Sequence, residues 1–510
     1  MKSALRSCLP LLLIAFIWTV EIALIQEYTI QPRFLDYFSW IGKHAVRWGL
    51  AFCSVSLLLA LFGRYVLALV LTLHVLFSLA LLTYFDYFGF PLSEQVLLSQ
   101  TNEGATFTSY ALSLVNPVAA GGLVVLFFLK CFMLQRLDLR VWKQYRKSVA
   151  AYALAGILLS FGASWKLVPP LDTVGSWGEQ TLFSEAYGYL PSWAINAFHF
   201  RDEATVLHAA LASTKPVAAL RLSETEPLLP RARNIIVIQA ESLDFAIIGK
   251  DTEAGIPIAP FLRELSRKSM YYGIKAYRRY GTAGADFQMI TGLAVEAARI
   301  PYKIAGYPFG DIRTIARKSS EKGYKTAALH GNYGYYYSRD KALPHCGFDA
   351  VLFQQDMEKE GLKPEKGYIL DADCFELSGR LMDGEKNMHF IITMTSHGPF
   401  DTHPDVCPVP YPYPEPRDRA EAYANSIRYL DYSLQSYIEK LPDDSIVFLY
   451  GDHASGVRYE GSEEELVPFF IFSKSKDLSR ASRLLPKTAL SGEVEFAEIV
   501  RLVHDYIELL

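Results

Sequence analysis

Four polar positions in this sequence fall directly after short apolar runs: Glu241 after IIVIQA, His330 after TAAL, His397 after HFIITMTS, and the pair Asp452–His453 after SIVFLYG. Short apolar runs of this kind read as buried strands, and in open α/β sheets ligands gather beyond the carboxyl ends of the strands. One crater could therefore collect all of these side chains. Two carboxylates and an imidazole suit a borderline or hard divalent ion such as Zn²⁺ or Mn²⁺, with an oxygen nucleophile completing the shell. The candidate oxygen is Thr282, in the glycine-flanked turn GTAGADF at 281–287, which reads as the start of a helix. A threonine hydroxyl is a poor nucleophile at neutral pH. A metal and the field of a helix amino terminus both favour its alkoxide and stabilise charge on an attacked phosphoryl group.

Each piece alone has a plainer reading. Thr282 would serve as a helix cap, Asp452–His453 as a strand-end turn, and Glu241–Ser242 as a cap for the next segment. The combination, in this order and at strand ends, points to chemistry.

The elements that must position these residues begin near Asn234. Ile235–Ile238, Thr326–Leu329, His389–Thr393, Ser445–Tyr450 and Phe469–Phe472 read as strands, separated by helical patterns at Phe261–Ser269, Ile312–Lys322 and Tyr423–Leu441. Such alternation predicts an α/β domain with a mostly parallel central sheet covered on both faces. The segment Pro408–Pro416 reads as an extended surface loop.

The amino-terminal third is different in kind. Five runs, near Leu9–Ile25, Trp48–Phe62, Tyr65–Tyr84, Pro117–Leu134 and Val149–Trp165, have the character of membrane-spanning helices. No small-residue cleavage site follows the first, so it reads as a retained helix rather than a signal peptide. Asp86–Asn116 contains no Lys or Arg, whereas Lys130, Arg136, Arg140, Lys143, Arg146 and Lys147 crowd the next connection, which places that connection in the cytoplasm. Lys2 and Arg6 put the amino terminus on the same side, with Arg33, Lys43 and Arg47 counting mildly against this. Five crossings then leave everything after Trp165 outside the cytoplasm. Glu21 and His74 lie in or beside the apolar runs and read as an interfacial carboxylate and a packed neutral imidazole, the alternative being a role toward a lipid substrate. The expected division is a transmembrane domain at 1–166, a juxtamembrane linker at 167–230, whose aromatics suit the bilayer surface, and an extracytoplasmic domain at 231–510.

Composition excludes several classes. The 510 residues are 51% hydrophobic and 20% charged, with a formal net charge of −4, which argues against disorder and against a general nucleic-acid binder. Six cysteines in such a length cannot form a disulfide scaffold. Cys346, Cys374 and Cys407 in the outer domain allow at most one internal bridge, and no catalytic cysteine is expected.

NIIVIQAESL, GTAGADF, HGNYGYYYSRD followed by GFD, TSHGPF and YGDHASG together resemble, in order and approximate spacing, the lipoteichoic acid synthase branch of the alkaline phosphatase/sulfatase superfamily. That branch is similar in architecture too: five membrane helices, a linker, then an extracytoplasmic catalytic domain. The resemblance implies a single metal held by Glu241, Thr282, Asp452 and His453, with Thr282 as the nucleophile that becomes covalently phosphorylated. It implies that His397 contacts the phosphate or leaving group and aids proton transfer, and that Arg339 binds phosphate, as a guanidinium fork suits. Tyr337 stands where the family usually has tryptophan, leaving an aromatic wall in the substrate pocket. His330 is given a supporting role. Asp371 and Asp373 resemble an acidic pair near the family's site or form a solvated loop. Tyr333, Tyr335 and Tyr336 line a glycerol pocket or fill the domain edge, and His345 and His403 read as surface or packing residues.

The activity so implied is metal-dependent transfer of phosphoglycerol from phosphatidylglycerol, a donor in the outer leaflet, to a glycan or polymer acceptor through a phospho-threonine intermediate. Mn²⁺ is the first choice of ion, with Zn²⁺ and Mg²⁺ as alternatives. The expected location is the bacterial cytoplasmic (inner) membrane. Two rivals stand beside this reading: a phosphoethanolamine transferase of the same superfamily, and an inactive membrane scaffold or sensor. A sulfatase activity fits less well, because no Cys/Ser-x-Pro-x-Arg sequence occurs at the nucleophile turn.

Overall fold

The structure, a computed structural model, describes residues 2–29, 37–88, 115–136, 139–164, 229–275, 281–293, 302, 308–365, 367–398, 400, 408–460, 462, 466–479 and 494–510. The chain divides into two compact units, residues 1–202 and 203–510. The expected linker at 167–230 lies almost wholly outside the described residues.

The first unit contains α1 (Lys2–Thr29), α2 (Tyr37–Leu61), α3 (Arg64–Phe88), α4 (Pro117–Gln135) and α5 (Leu139–Ser164). Three of them are long and apolar enough to cross a membrane, at Leu9–Gln26, Arg64–Phe85 and Pro117–Gln135. Of the five spans expected, these three meet that test among the described residues. In α2 only Trp48–Leu61 is an apolar stretch, because Lys43 and Arg47 occupy the preceding turns. In α5 the first turns carry Arg140, Lys143, Arg146 and Lys147, which shortens its apolar part in the same way. These two helices pack along each other, and Gly156 of α5 meets Cys53 of α2 so closely that a Cβ there would lie 2.5 Å from the sulfur.

The same three apolar helices each contribute one ionisable side chain to a buried cluster. Lys130 of α4 is 0% exposed and its ammonium is bonded to Glu21 Oε2 of α1, while His74 Nε2 of α3 lies 3.2 Å from Glu21 Oε1. The Trp18 ring sits 5.8 Å from the ammonium and 5.4 Å from the imidazole. Glu21 is therefore a paired interior group rather than an interfacial one, and Lys130 belongs to the helix interior rather than to the basic connection that follows. Losing one partner of a buried pair strands the other charge, which costs about 3–5 kcal/mol, whereas replacing both with apolar or neutral groups is close to neutral. Lys130→Met should accordingly lower the thermal midpoint of the protein in detergent micelles sharply, and Glu21→Gln/Lys130→Met should recover most of the loss. A double variant as unstable as the single one would show that the pairing is not what matters.

The second unit is built on β1 (Asn234–Ala240), β2 (Met270–Lys275), β3 (Lys325–His330), β4 (Ala350–Leu352), β5 (Asn387–Ile392), β6 (Ser445–Gly451), β7 (Leu466–Ser473) and β8 (Val494–Glu495). They form one eight-stranded sheet in the order β4-β3-β5-β1-β6-β7-β2-β8. The sheet is mixed where a mostly parallel one is expected: β7 runs antiparallel to both β6 and β2, while the other five pairings are parallel. The reason is local. No helix is described between β6 and β7, and without a crossover the chain must return in the opposite sense.

Alternation along the central strands feeds two cores. Ile235, Val237, Phe390, Ile446 and Phe448 face one side, and Ile236, Ile238, Ile391, Val447 and Leu449 the other. On the first side lie α8 (Gly281–Thr291), α9 (Ile315–Glu321) and α14 (Phe496–Glu508); on the second lie α7 (Pro260–Lys268), α12 (Asp371–Leu381) and α13 (Arg419–Lys440). The sequence supplies their starts: Thr314 Oγ1 accepts from Arg317 N ahead of α9, and Asp418 accepts from Ala420 N and Glu421 N ahead of α13. The remaining described helices are short: α6 (Phe245–Ile248), α10 (Arg339–His345) and α11 (Gln354–Lys359). Pro408–Pro416 contains neither helix nor strand, as an extended loop should.

Candidate active site

β1 ends at Ala240, so Glu241 is delivered at the carboxyl edge beside the end of β6, which delivers Asp452 and His453. Their ligand atoms lie within 4.8 Å of one another. His453 Nε2 is 3.4 Å from Glu241 Oε1 and 3.6 Å from Asp452 Oδ2. Thr282, near the amino end of α8, donates from Oγ1 to Glu241 Oε2 at 2.8 Å and lies 3.5 Å from His453 Nε2. The four residues expected to hold a metal thus converge.

Their electrostatics fit a cation. Asp452 is buried, and its Oδ2 has no hydrogen-bond partner. Burial, followed by the adjacent Glu241 charge, pushes its carboxyl up to about 8. Burial also opposes ionisation of Glu241. The His453 hydrogen bond, the His397 and His453 charges and the Thr282 hydroxyl outweigh it and hold that carboxyl well below the ordinary range. Burial works against a charged His453, but Asp452 and Glu241 overcome it and raise the imidazole to about 9. Two carboxylates placed together around an unsatisfied oxygen are what a divalent ion would repair.

The backbone around the cluster is fixed by polar groups that the strand pattern does not single out. Gln239, a polar residue inside an apolar strand, donates to the Thr282 carbonyl at 3.0 Å and accepts from the Tyr450 hydroxyl at 2.6 Å, pinning the start of α8 to the sheet. Thr393 Oγ1 accepts from Glu241 N, and Asp452 Oδ1 accepts from Ser242 N and His453 N. Ser242 sits at φ 52°, a conformation that turns the chain sharply after β1. Asp244 accepts from Ser455 N, Ser455 Oγ and the Tyr459 hydroxyl, holding the loop that follows His453.

The other expected residues divide. His330 is buried at the end of β3, its Nδ1 3.1 Å from the Ile392 carbonyl. Burial, followed by the Arg339 charge, depresses its imidazole to about 3, so it stays neutral. His397 is half-buried after β5, with Nδ1 2.6 Å from the Gly398 carbonyl. Arg339 is only 2% exposed and is held by Asp286, with the Tyr337 ring 5.1 Å from the guanidinium. Asp371 is buried and accepts from Met394 N and Thr395 N, which gives it a structural task. Asp373 is partly exposed. After β3, Tyr335 stacks on Tyr333 and meets Tyr336 at a tilt, and Tyr335 is the most exposed of the three. His345 lies at the end of α10, while His403 and Cys407 fall outside the described residues. Cys346 and Cys374 are free thiols, both buried.

A family model described as sulfatase matches residues 233–489. Among curated proteins, the chain is similar to the lipoteichoic acid synthase of Staphylococcus saprophyticus, with 26% identity over 309 residues that cover 55% of this chain and 46% of that protein. It is similar also to the lipoteichoic acid synthase of Staphylococcus aureus strain USA300, with 26% identity over 263 residues that cover 47% of this chain and 39% of that protein. The matches span less than half the length of these curated relatives. Among solved structures, the integral membrane protein lipooligosaccharide phosphoethanolamine transferase A of Neisseria meningitidis is similar in fold, with 15% identity, coverage of 99% of this chain and 95% of that one, and a TM-score of 0.54.

Proposed function

Because the chain belongs to the sulfatase family, as a lipoteichoic acid synthase-like member of the alkaline phosphatase/sulfatase superfamily, we propose that it transfers phosphoglycerol from phosphatidylglycerol to a glycan or polymer acceptor. The observation that carries this is the Thr282 hydroxyl, 2.8 Å from a carboxylate of the Glu241–Asp452–His453 cluster and near the amino end of α8. Glu241, Asp452 and His453, with the Thr282 oxygen, would hold one divalent ion, Mn²⁺ before Zn²⁺ or Mg²⁺. When bound, that ion supplies positive charge that favours the ionised hydroxyl and offsets charge on the phosphoryl oxygens.

Thr282 Oγ1 attacks phosphorus; an Oγ1–P bond forms as the P–O bond to diacylglycerol breaks. The threonine proton passes to solvent, and His397 on the half-buried rim gives a proton to the departing glyceride oxygen. Arg339 faces the nonbridging oxygens, where a fixed cation is worth most as charge builds. The Tyr337 ring walls the headgroup. In the second half-reaction an acceptor hydroxyl attacks the same phosphorus, the Oγ1–P bond breaks, and Thr282 recovers its proton.

The membrane part belongs to the same reading. Residues 1–166 cross the bacterial inner membrane five times, with α2 and α5 completing the set, residues 167–230 link, and residues 231–510 work outside the cytoplasm. Anchoring the crater near the outer leaflet raises the effective concentration of the lipid donor.

The test is to incubate the full chain and Mn²⁺ with vesicles containing phosphatidylglycerol labelled in its headgroup glycerol and phosphatidylethanolamine labelled in its ethanolamine. Diacylglycerol release with a glycerophosphate mass increment on Thr282 is expected. A phosphoethanolamine increment instead would select the rival transferase. A folded, metal-loaded protein that turns over neither lipid would leave a scaffold or sensor.

A further inference from the structure

We propose that Asp286 is a positioning residue for this transfer: standing on the same helix as Thr282, it sets where the Arg339 guanidinium lies relative to the attacking hydroxyl. The inference rests on the reading above, in which Arg339 meets the phosphoryl oxygens.

Thr282 and Asp286 are four residues apart in α8, about one turn, so their side chains project from one face of the helix. Asp286 is 0% exposed, and Arg339, from the segment after β3, is 2% exposed. Arg339 Nε donates to Asp286 Oδ2 at 2.7 Å; Nη2 lies 2.7 Å from the same oxygen yet makes no hydrogen bond there, which leaves a buried donor uncommitted. Arginine–carboxylate pairs frequently fork across both oxygens. Here one carboxylate oxygen fixes one edge of the fork.

Two further restraints act on the same guanidinium. The Tyr337 ring lies 5.1 Å from it, and Tyr337 and Ser338 immediately before it take φ of 56° and 59°, a pair of left-handed non-glycine residues. Consecutive residues of that kind are strained and persist only where the surroundings over-determine them. The charge of Arg339 is also felt by His330, which lies in the field of Glu241 and His397 as well, so the cation belongs to the same neighbourhood as the metal cluster. A buried ion pair adds little to stability that an apolar pair of similar volume would not. Fixing a permanent cation to a carboxylate one helical turn from a nucleophile is a use that an apolar pair cannot serve.

The experiment uses the full chain loaded with Mn²⁺ and two probes: phosphatidylglycerol in mixed micelles for turnover, and inorganic phosphate for binding by calorimetry. Asp286→Asn should lower kcat by about 10–100-fold, the range typical of losing a supporting group, with a smaller change in KM, and should weaken phosphate binding about tenfold. Arg339→Lys should be similarly impaired. Because the two residues act as a unit, Asp286→Asn/Arg339→Lys should be no worse than Arg339→Lys alone. Asp286→Glu, which keeps the charge, should recover part of the loss and covers the case in which the asparagine variant does not fold. Wild-type turnover and phosphate affinity in a folded Asp286→Asn or Asp286→Glu protein would overturn the proposal, as would full additivity with Arg339→Lys or a wild type that binds no phosphate. Failure of the underlying reading looks different: a wild type that releases no diacylglycerol but binds phosphate in an Asp286-dependent way rejects the lipid donor while the positioning role stands.

Discussion

Thr282→Ala should reduce headgroup release by about 10,000-fold and abolish the covalent adduct, while the protein stays folded and still binds its metal through Glu241, Asp452 and His453. In the proposed mechanism the size of the effect follows from the bond being made: without Oγ1 the covalent intermediate cannot form, and what survives is electrostatic assistance to water. The selectivity of the effect follows from the geometry. α8 is pinned through the Thr282 carbonyl, which accepts from Gln239, and through neighbours that the side chain does not touch. Glu241 keeps its bond from the Ser242 hydroxyl. Thr282→Ser retains the attacking oxygen and should retain the adduct. Intact-mass measurement after incubation with phosphatidylglycerol separates the three proteins, and an adduct that persists in Thr282→Ala would place the nucleophile elsewhere.

Asp452 carries the second large effect, and pH governs it. In the metal-free protein Asp452 and His453 hold protons up to about 8 and about 9, whereas Glu241 is ionised throughout the neutral range. A cation must displace those protons. Both groups have raised values, so the competing protons are present at low pH and leave as pH rises. Mn²⁺ affinity should therefore climb between pH 6 and pH 9, by up to about 100-fold per unit where two protons are released together, and level off above. Calorimetry in buffers of different ionisation enthalpy counts the protons directly. Asp452→Asn removes one proton from the exchange and one ligand from the ion, so affinity should fall by about 100-fold or more and turnover with it. The same substitution removes the cost of keeping a proton on Asp452, which burial and the Glu241 charge impose in the metal-free protein, and the amide that replaces the carboxyl retains an Oδ1 to accept from Ser242 N and His453 N. The metal-free variant should consequently be as stable as the wild type or more so, a trade-off common at active sites. An affinity independent of pH, or an Asp452→Asn protein with unchanged metal content, would remove this group from the ligand set.

Much of the site is legible in the sequence, for a physical reason. A polar residue that ends an apolar run must lie where the sheet stops, and parallel neighbours stop at the same edge. Glu241, His330, His397 and Asp452 follow from that rule alone. What the rule cannot show is who holds them. Gln239, Thr393 and Asp244 act through partners 43, 152 and 211 residues away, and no local spacing records such distances. Gln239 does leave a trace, as an amide that interrupts the apolar run Ile235–Ile238 before the strand ends. Asp286 is visible in GTAGADF but its partner is not. The edge strands escape a reading of periodicity because β4 and β8 are only 3 and 2 residues long, too short for any period to register. The direction of β7 hangs on the lack of a crossover helix before it. Lys130 misleads because topology rules count basic residues without asking whether a carboxylate waits for them inside the bundle.

That carboxylate has a consequence for how the protein is made. Glu21 lies 109 residues ahead of Lys130, so α1 leaves the ribosome and reaches the translocation machinery long before α4 exists. An unneutralised carboxylate in a lone helix opposes insertion, by about 3 kcal/mol at the helix centre and by less toward the end of the span, where Glu21 lies. The first helix is then expected to be less stable in lipid until the fourth arrives with its ammonium. Chains truncated between the two are expected to be poor residents of the bilayer and early substrates for quality-control proteolysis.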